Sequence, residues 1–250
     1  MRLVPKILAG VALWAAFGGP AQCRAEERTV TVSIVLVPSK AENAKTASSK
    51  ATDESNVAVW LVPLDHSTQA ASAGPAPGKP PQLVQRRKTF EPHVLIVPVG
   101  SLVQFPNKDP FFHNIFSIYD GRRFDLGLYE AGTSRSVKFD RAGVSFLFCN
   151  IHAEMSAVVL AVLTPYFALS GRNGNLVIPD VPDGRYQLNV WYERSSTEYL
   201  KGLTRVITIS GTSRNVGPIQ ILENPDFTLA HKNKYGLDYI PPGNTDYDHQ

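Results

Sequence analysis

The sequence predicts an all-β chain built as two sandwich units. Short β-branched and aromatic runs recur along most of its length, separated by Gly, Asn, Asp and Pro turn signals. No segment carries a convincing amphipathic helical period. Hydrophobic residues make up 43% of the 250 positions and charged residues 19%, which is enough apolar matter for a sizeable core and excludes wholesale disorder.

Residues 1–25 read as a secretory signal peptide. Arg2 and Lys6 form its basic start, Ile7 to Gly19 its apolar run, and Ala25 the small residue before the cut. The apolar run is too short to span a bilayer. Glu26 is the expected mature N-terminus, and a secreted or periplasmic location follows. Lipid anchoring at Cys23 fits poorly, because Pro20, Ala21 and Gln22 precede it. No later stretch approaches 18 consecutive apolar residues, so no transmembrane segment is expected in the mature chain.

The segment 26–66 holds two strands, Thr29–Val37 and Val57–Leu64, with a solvated Lys, Ala and Ser loop between them. Residues 67–81 are a Ser, Ala, Gly and Pro linker. In 82–163 the strands are Val94–Val99, Leu102–Phe105, Asn114–Ile118, Ser136–Phe139, Val144–Phe148 and Ala157–Leu163, a spacing that indicates a sandwich or barrel. In 164–223 the runs are Tyr166–Ser170, Leu176–Ile178, Tyr186–Tyr192, Val206–Ile209 and Ile219–Ile221, with turns at Arg172-Asn173-Gly174 and Pro182-Asp183-Gly184. Five strands are few for a sandwich. The two N-terminal strands are expected to complete it, with 82–163 inserted between. The tail 224–250 has little pattern and is expected either to lie along the surface or to be loose.

Charge narrows the partners. The formal net charge is +3, but Arg2, Lys6 and Arg24 fall in the first 25 residues, where there is no acid. Taking these three from the 25 basic residues leaves 22, against 22 acidic ones, so the mature chain is neutral. It lacks the basic footprint of a nucleic-acid binder.

The chemistry concentrates on one loop. The chain has two Cys, two Met and six His. Beyond the signal segment, Cys149 is the sole Cys and Met155 the sole Met, and both lie in Phe148-Cys149-Asn150-Ile151-His152-Ala153-Glu154-Met155. Cys149, His152 and Met155 follow a C-x2-H-x2-M spacing between two strands. Thiolate and thioether favour Cu(I), and imidazole serves both copper oxidation states. A trigonal copper site needs a second imidazole from elsewhere. His113 is the candidate, at the end of the irregular Phe105-to-Phe112 segment where a strand begins. The competing reading is a buried inert Cys and Met flanking an incidental His. Of the other histidines, His93 reads as a half-buried strand residue, and His66, His231 and His249 as solvated. Glu154 reads as a solvated acid on a tight turn.

The Asn107-to-Asn114 stretch ending in His-Asn, together with the Cys149-to-Met155 loop, resembles the cupredoxins, the family of plastocyanin, pseudoazurin and amicyanin. The short gap between His152 and Met155 is most similar to amicyanin. The resemblance covers Phe90 to Leu163. It implies a Greek-key sandwich binding one type 1 copper, with His113, Cys149 and His152 as strong ligands and Met155 as the weak axial one. It implies, too, that the backbone N–H of Asn114 points at the Cys149 sulfur and that the Asn114 side chain ties the two ligand loops together. With Phe124-Asp125-Leu126-Gly127-Leu128-Tyr129, the chain resembles secreted plastocyanin-like proteins of the methylamine-utilization type. There a carboxypeptidase-regulatory-like β domain accompanies the cupredoxin, and Val181-to-Tyr186 resembles that module. One departure is Phe112, where several plastocyanin-like sequences have Pro.

The resemblance implies a secreted one-electron carrier. Its electrons pass through the exposed edge of His152 to redox partner proteins that dock transiently, with Phe111 or Phe112 offering an apolar rim. An enzyme reading is weak. Six His are too few for a trinuclear cluster, one mature Cys cannot bridge a binuclear centre, and no nucleophile–base set or phosphate loop occurs. The alternative is an extracytoplasmic β-sandwich binding or structural module in which copper is structural or absent. Copper delivery is a third reading.

Overall fold

A computed structural model describes residues 28–39, 53–65, 78–118, 121–211 and 213–239. The signal segment with Cys23, the Glu26 start, His66 and His249 lie outside these residues. In chain order the first strands are β1 (Val30–Pro38), β2 (Ala58–Pro63), β3 (Val84–Arg86), β4 (Thr89–Glu91), β5 (Val94–Pro98) and β6 (Ser101–Pro106). Next come β7 (His113–Ser117), β8 (Phe124–Tyr129), β9 (Ser134–Phe139), β10 (Gly143–Cys149) and β11 (Ser156–Val162). The last are β12 (Phe167–Leu169), β13 (Asn175–Ile178), β14 (Gly184–Trp191), α1 (Thr197–Gly202), β15 (Arg205–Ile209) and β16 (Asn215–Glu223).

The outer sandwich joins the two ends of this order. β1 alternates, burying Val30, Val32, Ile34 and Leu36 on one face. It pairs antiparallel with β13 and parallel with β16. β2 lies between β12 and β14, and β15 completes that sheet. The inward faces of both sheets form one core, with Val59 and Leu61 from β2, and Tyr186, Leu188 and Val190 from β14, against the β1 row. The strands β3 to β11 thus lie in sequence between β2 and its pairing partners.

The inner sandwich has a five-stranded sheet in the order β5-β11-β10-β7-β8. The pair β6–β9 covers its face, contributing Val103, Phe105, Val137 and Phe139 to the core. β11 reads as an unbroken apolar run because both its faces are buried. Ala157, Val159 and Ala161 enter the inner core, while Leu160 and Val162 join Ala58, Ile96, Trp60 and Trp191 in a third cluster between the sandwiches.

Several local features depart from the sequence expectation, which does not include β3, β4 or β8 as strands. α1 is one short helix, capped by the Ser196 hydroxyl accepting from Tyr199 N at 3.2 Å. Six residues are fewer than two turns, too short for a periodic signal. β7 begins at His113 rather than Asn114. β8 is an edge strand whose alternation is broken by Gly127 at φ +66°.

Candidate metal centre

The centre forms where β10 ends and β7 begins. The two strands are antiparallel, with Cys149 opposite Ile115 and Phe148 opposite Phe116. Opposed residues share a face, and so do residues two apart on one strand. Cys149, Ile115 and His113 therefore point the same way, into the inner sandwich. All three are fully buried.

The six-residue loop from Asn150 to Met155 returns the chain to β11. It is closed by Cys149 N donating to Met155 O and Met155 N donating to His152 O, both at 3.1 Å. This turn swings His152 back over the cysteine. Cys149 Sγ lies 3.7 Å from His113 Nδ1 and 3.5 Å from His152 Nδ1. The three ligand atoms all fall within 4.8 Å of one another. A trigonal metal with bonds of about 2.0 Å to nitrogen and about 2.3 Å to thiolate gives an N–S edge of about 3.7 Å. The residues present fit such an ion. Among the described residues this is the one group of His, Cys, Asp and Glu atoms close enough to do so. Met155 is fully buried and packs in the same core cluster as Cys149.

Protonation is arranged to suit a ligand set. His113 Nε2 lies 2.8 Å from Asp109 Oδ2, so this nitrogen carries the proton and Nδ1 offers its lone pair toward the sulfur. Burial pushes the His113 pKa down, against the pull of Asp109. Burial, then repulsion from His113 and Lys88, brings His152 down to about 4. Both imidazoles are thus neutral lone-pair donors at neutral pH. Burial alone would raise the Asp109 carboxyl. Hydrogen bonds from the Lys88 amide, the His113 ring and the Arg87 amide outweigh it and hold the group below the usual carboxylate range. Lys88 N donates to Oδ2 at 3.0 Å and Arg87 N to Oδ1. The turn that presents Asp109 is pinned by Asn107, whose Oδ1 accepts from Asp109 N at 3.0 Å.

Asp109 is the functional residue that the sequence reading passes over. Its only signal is a position four residues before His113 in an Asn-Lys-Asp-Pro turn. Asn114 sits beside His113, nearly wholly buried, but its side chain reaches β8 rather than the Cys149 loop. Nδ2 donates to Asp125 Oδ1 at 2.7 Å, and Oδ1 has no partner. Phe111 lies against both imidazoles, 5.2 Å from the His113 ring and 5.7 Å from that of His152. Phe112 and Ile151 are exposed at the mouth of the ligand segments, and so is Glu154. His93 is part-buried, with Nε2 2.6 Å from Glu193 Oε2 and Nδ1 3.2 Å from Ser156 O, and it does not join the centre.

The tail lies along the surface, and within it His231, Lys234 and Tyr239 reach the centre. His231, read from the sequence as solvated, is only part-exposed. Its ring stacks on Phe148 at 3.9 Å, and Nε2 donates to Ala153 O at 2.9 Å.

No protein-family model matches the chain, and no curated protein matches it. Several solved structures are similar to part of it. A purple cupredoxin from Nitrosopumilus maritimus is 24% identical over 33% of this chain and 99% of its own, with a TM-score of 0.31. A copper-containing nitrite reductase from Thermus scotoductus is 25% identical over 40% of this chain, with a TM-score of 0.32, and the match spans only 27% of that enzyme. A reduced amicyanin variant is 20% identical over 36% of this chain and 94% of its own, with a TM-score of 0.31.

Proposed function

We propose that this chain is an extracytoplasmic electron carrier holding one type 1 copper through His113, Cys149, His152 and Met155. The observation that carries this is the meeting of two imidazole Nδ1 atoms 3.5–3.7 Å from one buried thiol, with the His113 tautomer set by Asp109. A thiolate with two neutral imidazoles and a thioether nearby is a donor set for copper in both oxidation states. Bound there, copper supplies one-electron exchange between Cu(I) and Cu(II).

The protein does the rest. Burial of His113, Cys149 and Met155 keeps water from the donor atoms, leaving His152 as the ligand with access to solvent. On this reading electrons leave by the outer edge of His152, and the exposed Phe112 and Ile151 form an apolar rim for a transient redox partner. Neutral imidazoles need lose no proton before binding. Among the described residues no helix is long and apolar enough to cross a membrane. Export through residues 1–25, with maturation at Glu26, belongs to the same proposal.

The test is a Cu(II) titration of the purified protein followed by visible absorption and EPR, beside Cys149→Ser. One copper per chain and an intense thiolate charge-transfer band that vanishes in the variant are expected. Absence of both would overturn the proposal and leave the sandwich as a binding or structural module.

A further inference from the structure

The C-terminal tail contacts the ligand loop through residues 231–239. Between β10 and β11 the loop has few bonds of its own, and the tail supplies more. Tyr239 donates its hydroxyl to the Cys149 carbonyl at 2.8 Å. His231 donates from Nε2 to the Ala153 carbonyl at 2.9 Å. Lys234 N donates to Asn150 Oδ1 at 3.0 Å. One tail segment thus holds Cys149, Asn150 and Ala153, bracketing His152.

The same segment reaches the other ligand strand. Lys234 Nζ donates to Asp125 Oδ2 at 2.7 Å, and Asp125 Oδ1 accepts from Asn114 Nδ2 at 2.7 Å. The two ligand segments are therefore joined through Asn150, Lys234, Asp125 and Asn114. The tail is itself folded, not draped. Asn233 N donates to Leu237 O, Gly236 N to Asn233 O, and Asn233 Oδ1 accepts from the amides of Tyr235 and Leu237. The His231 ring, stacked on Phe148 and edge-on to Tyr239 at 5.2 Å, fixes where this turn sits.

We infer that His231, Lys234 and Tyr239 are positioning residues of the metal centre, and that the tail is a strap holding the Cys149–Met155 loop in its ligating form before metal arrives. This rests on the copper reading above only for the identity of the metal. A site whose supporting groups are already bonded avoids the ordering cost of binding and fixes donor orientation. The Tyr239 bond has a second effect. It polarises the carbonyl of the residue whose sulfur is the ligand, so it bears on the electronics of the thiolate as well as on the loop.

The experiment uses the full chain with Tyr239→Phe, with the double variant His231→Ala and Tyr239→Phe, and with Leu237→Ser as a control on an exposed tail side chain. In the metal-free proteins, amide hydrogen exchange of residues 150–155 should accelerate at least about tenfold in the double variant and less in Tyr239→Phe. The amides of β1 and β14 should be unchanged, which establishes that the fold is intact. In the copper-loaded proteins the thiolate charge-transfer band should shift in Tyr239→Phe but not in Leu237→Ser, and transfer of copper to a chelator should quicken about tenfold in the double variant. Loop exchange within twofold of the parent in both variants would overturn the inference. So would accelerated exchange with an unmoved band, because the tail would then support the fold without positioning the ligands. Accelerated exchange in a chain that takes up no copper would uphold the strap and sink the copper reading alone.

Discussion

His113 Nε2 donates to the Asp109 carboxylate at 2.8 Å, and both side chains are shut off from solvent. The same carboxylate accepts from the amides of Arg87 and Lys88, so it joins the β3–β4 turn to the first residue of β7. One group therefore fixes a loop, an imidazole orientation and a tautomer.

Asp109→Ala should leave three donors without an acceptor. The expected loss of stability is roughly 2–4 kcal/mol, as for buried donors left unsatisfied. Metal affinity should fall roughly 10–100-fold, the usual consequence of removing the partner of a ligating histidine. Asp109→Asn keeps an acceptor oxygen and should recover part of both. Urea unfolding of the metal-free proteins and a competitive chelator titration measure the two effects. Unchanged affinity in Asp109→Ala would show that the His113 ring is held by packing alone.

The acid side of the stability curve follows from the centre. His152 titrates near 4 in the folded metal-free chain, held down by burial first and by His113 and Lys88 next. Unfolded histidine titrates near about 6.5. Between these values the unfolded chain binds a proton that the folded chain refuses, so stability falls as pH drops from about 6.5 to about 4. His113, also lowered by burial, adds to the same slope. Urea midpoints taken between pH 4 and 7 should show this, and His152→Gln should flatten it. Equal slopes in parent and variant would mean that the His152 ring is not kept neutral.

Much of the fold is legible in the sequence because alternation survives where one face of a strand meets a core. β1 and β14 carry it without interruption, and β11 carries the continuous run of a strand buried on both sides. α1 is invisible because a single capped turn has no period. In the centre, the Cys149 loop is legible because scarce residue types fall together in sequence. Asp109 is not, since its spacing from His113 resembles a helical pair but occurs in a proline-containing turn. The tail contacts are illegible for another reason. His231 and Tyr239 reach Ala153 and Cys149 from 78 and 90 residues away through single hydrogen bonds, which leave no repeat in the sequence.

His93 should act with the opposite sign to His152. Nε2 faces the Glu193 carboxylate and Nδ1 faces the Ser156 carbonyl, so both nitrogens meet acceptors and only the doubly protonated ring satisfies both. The Glu193 hydrogen bond, against burial, raises the His93 pKa. This contribution is fully present below about pH 6.5 and is lost as pH rises through the raised value. The His93 side chain is 39% exposed, so solvent screening keeps the gain below about 1 kcal/mol. Because His93 immediately precedes β5 and Glu193 follows β14, the bond links the two sandwiches. His93→Gln should lower stability at pH 6 and leave it unchanged above the folded pKa, read from urea midpoints at the two pH values.

Gly174 tests whether the outer sandwich can be weakened without touching the centre. It sits at φ +72°, where its carbonyl accepts from Ile34 N at 2.9 Å and anchors β1. A methyl group there would collide with the Ile34 carbonyl oxygen and the Glu54 carboxylate. Gly127 has a similar φ of +66° but open space around it. Gly127→Ala should therefore cost about 1 kcal/mol from backbone conformation alone. Gly174→Ala adds a backbone collision to the same strain and should cost about 2–4 kcal/mol. Neither change touches a ligand, so copper stoichiometry and the thiolate band should persist in both proteins while they are folded. Circular dichroism and absorbance followed through one thermal scan separate the cases. In Gly174→Ala both signals should disappear together at a lowered temperature, because the apolar cluster of Ala58, Ile96, Leu160 and Val162 couples the sandwiches. If the band instead outlasts loss of the outer sandwich, that cluster does not make the two halves unfold as one.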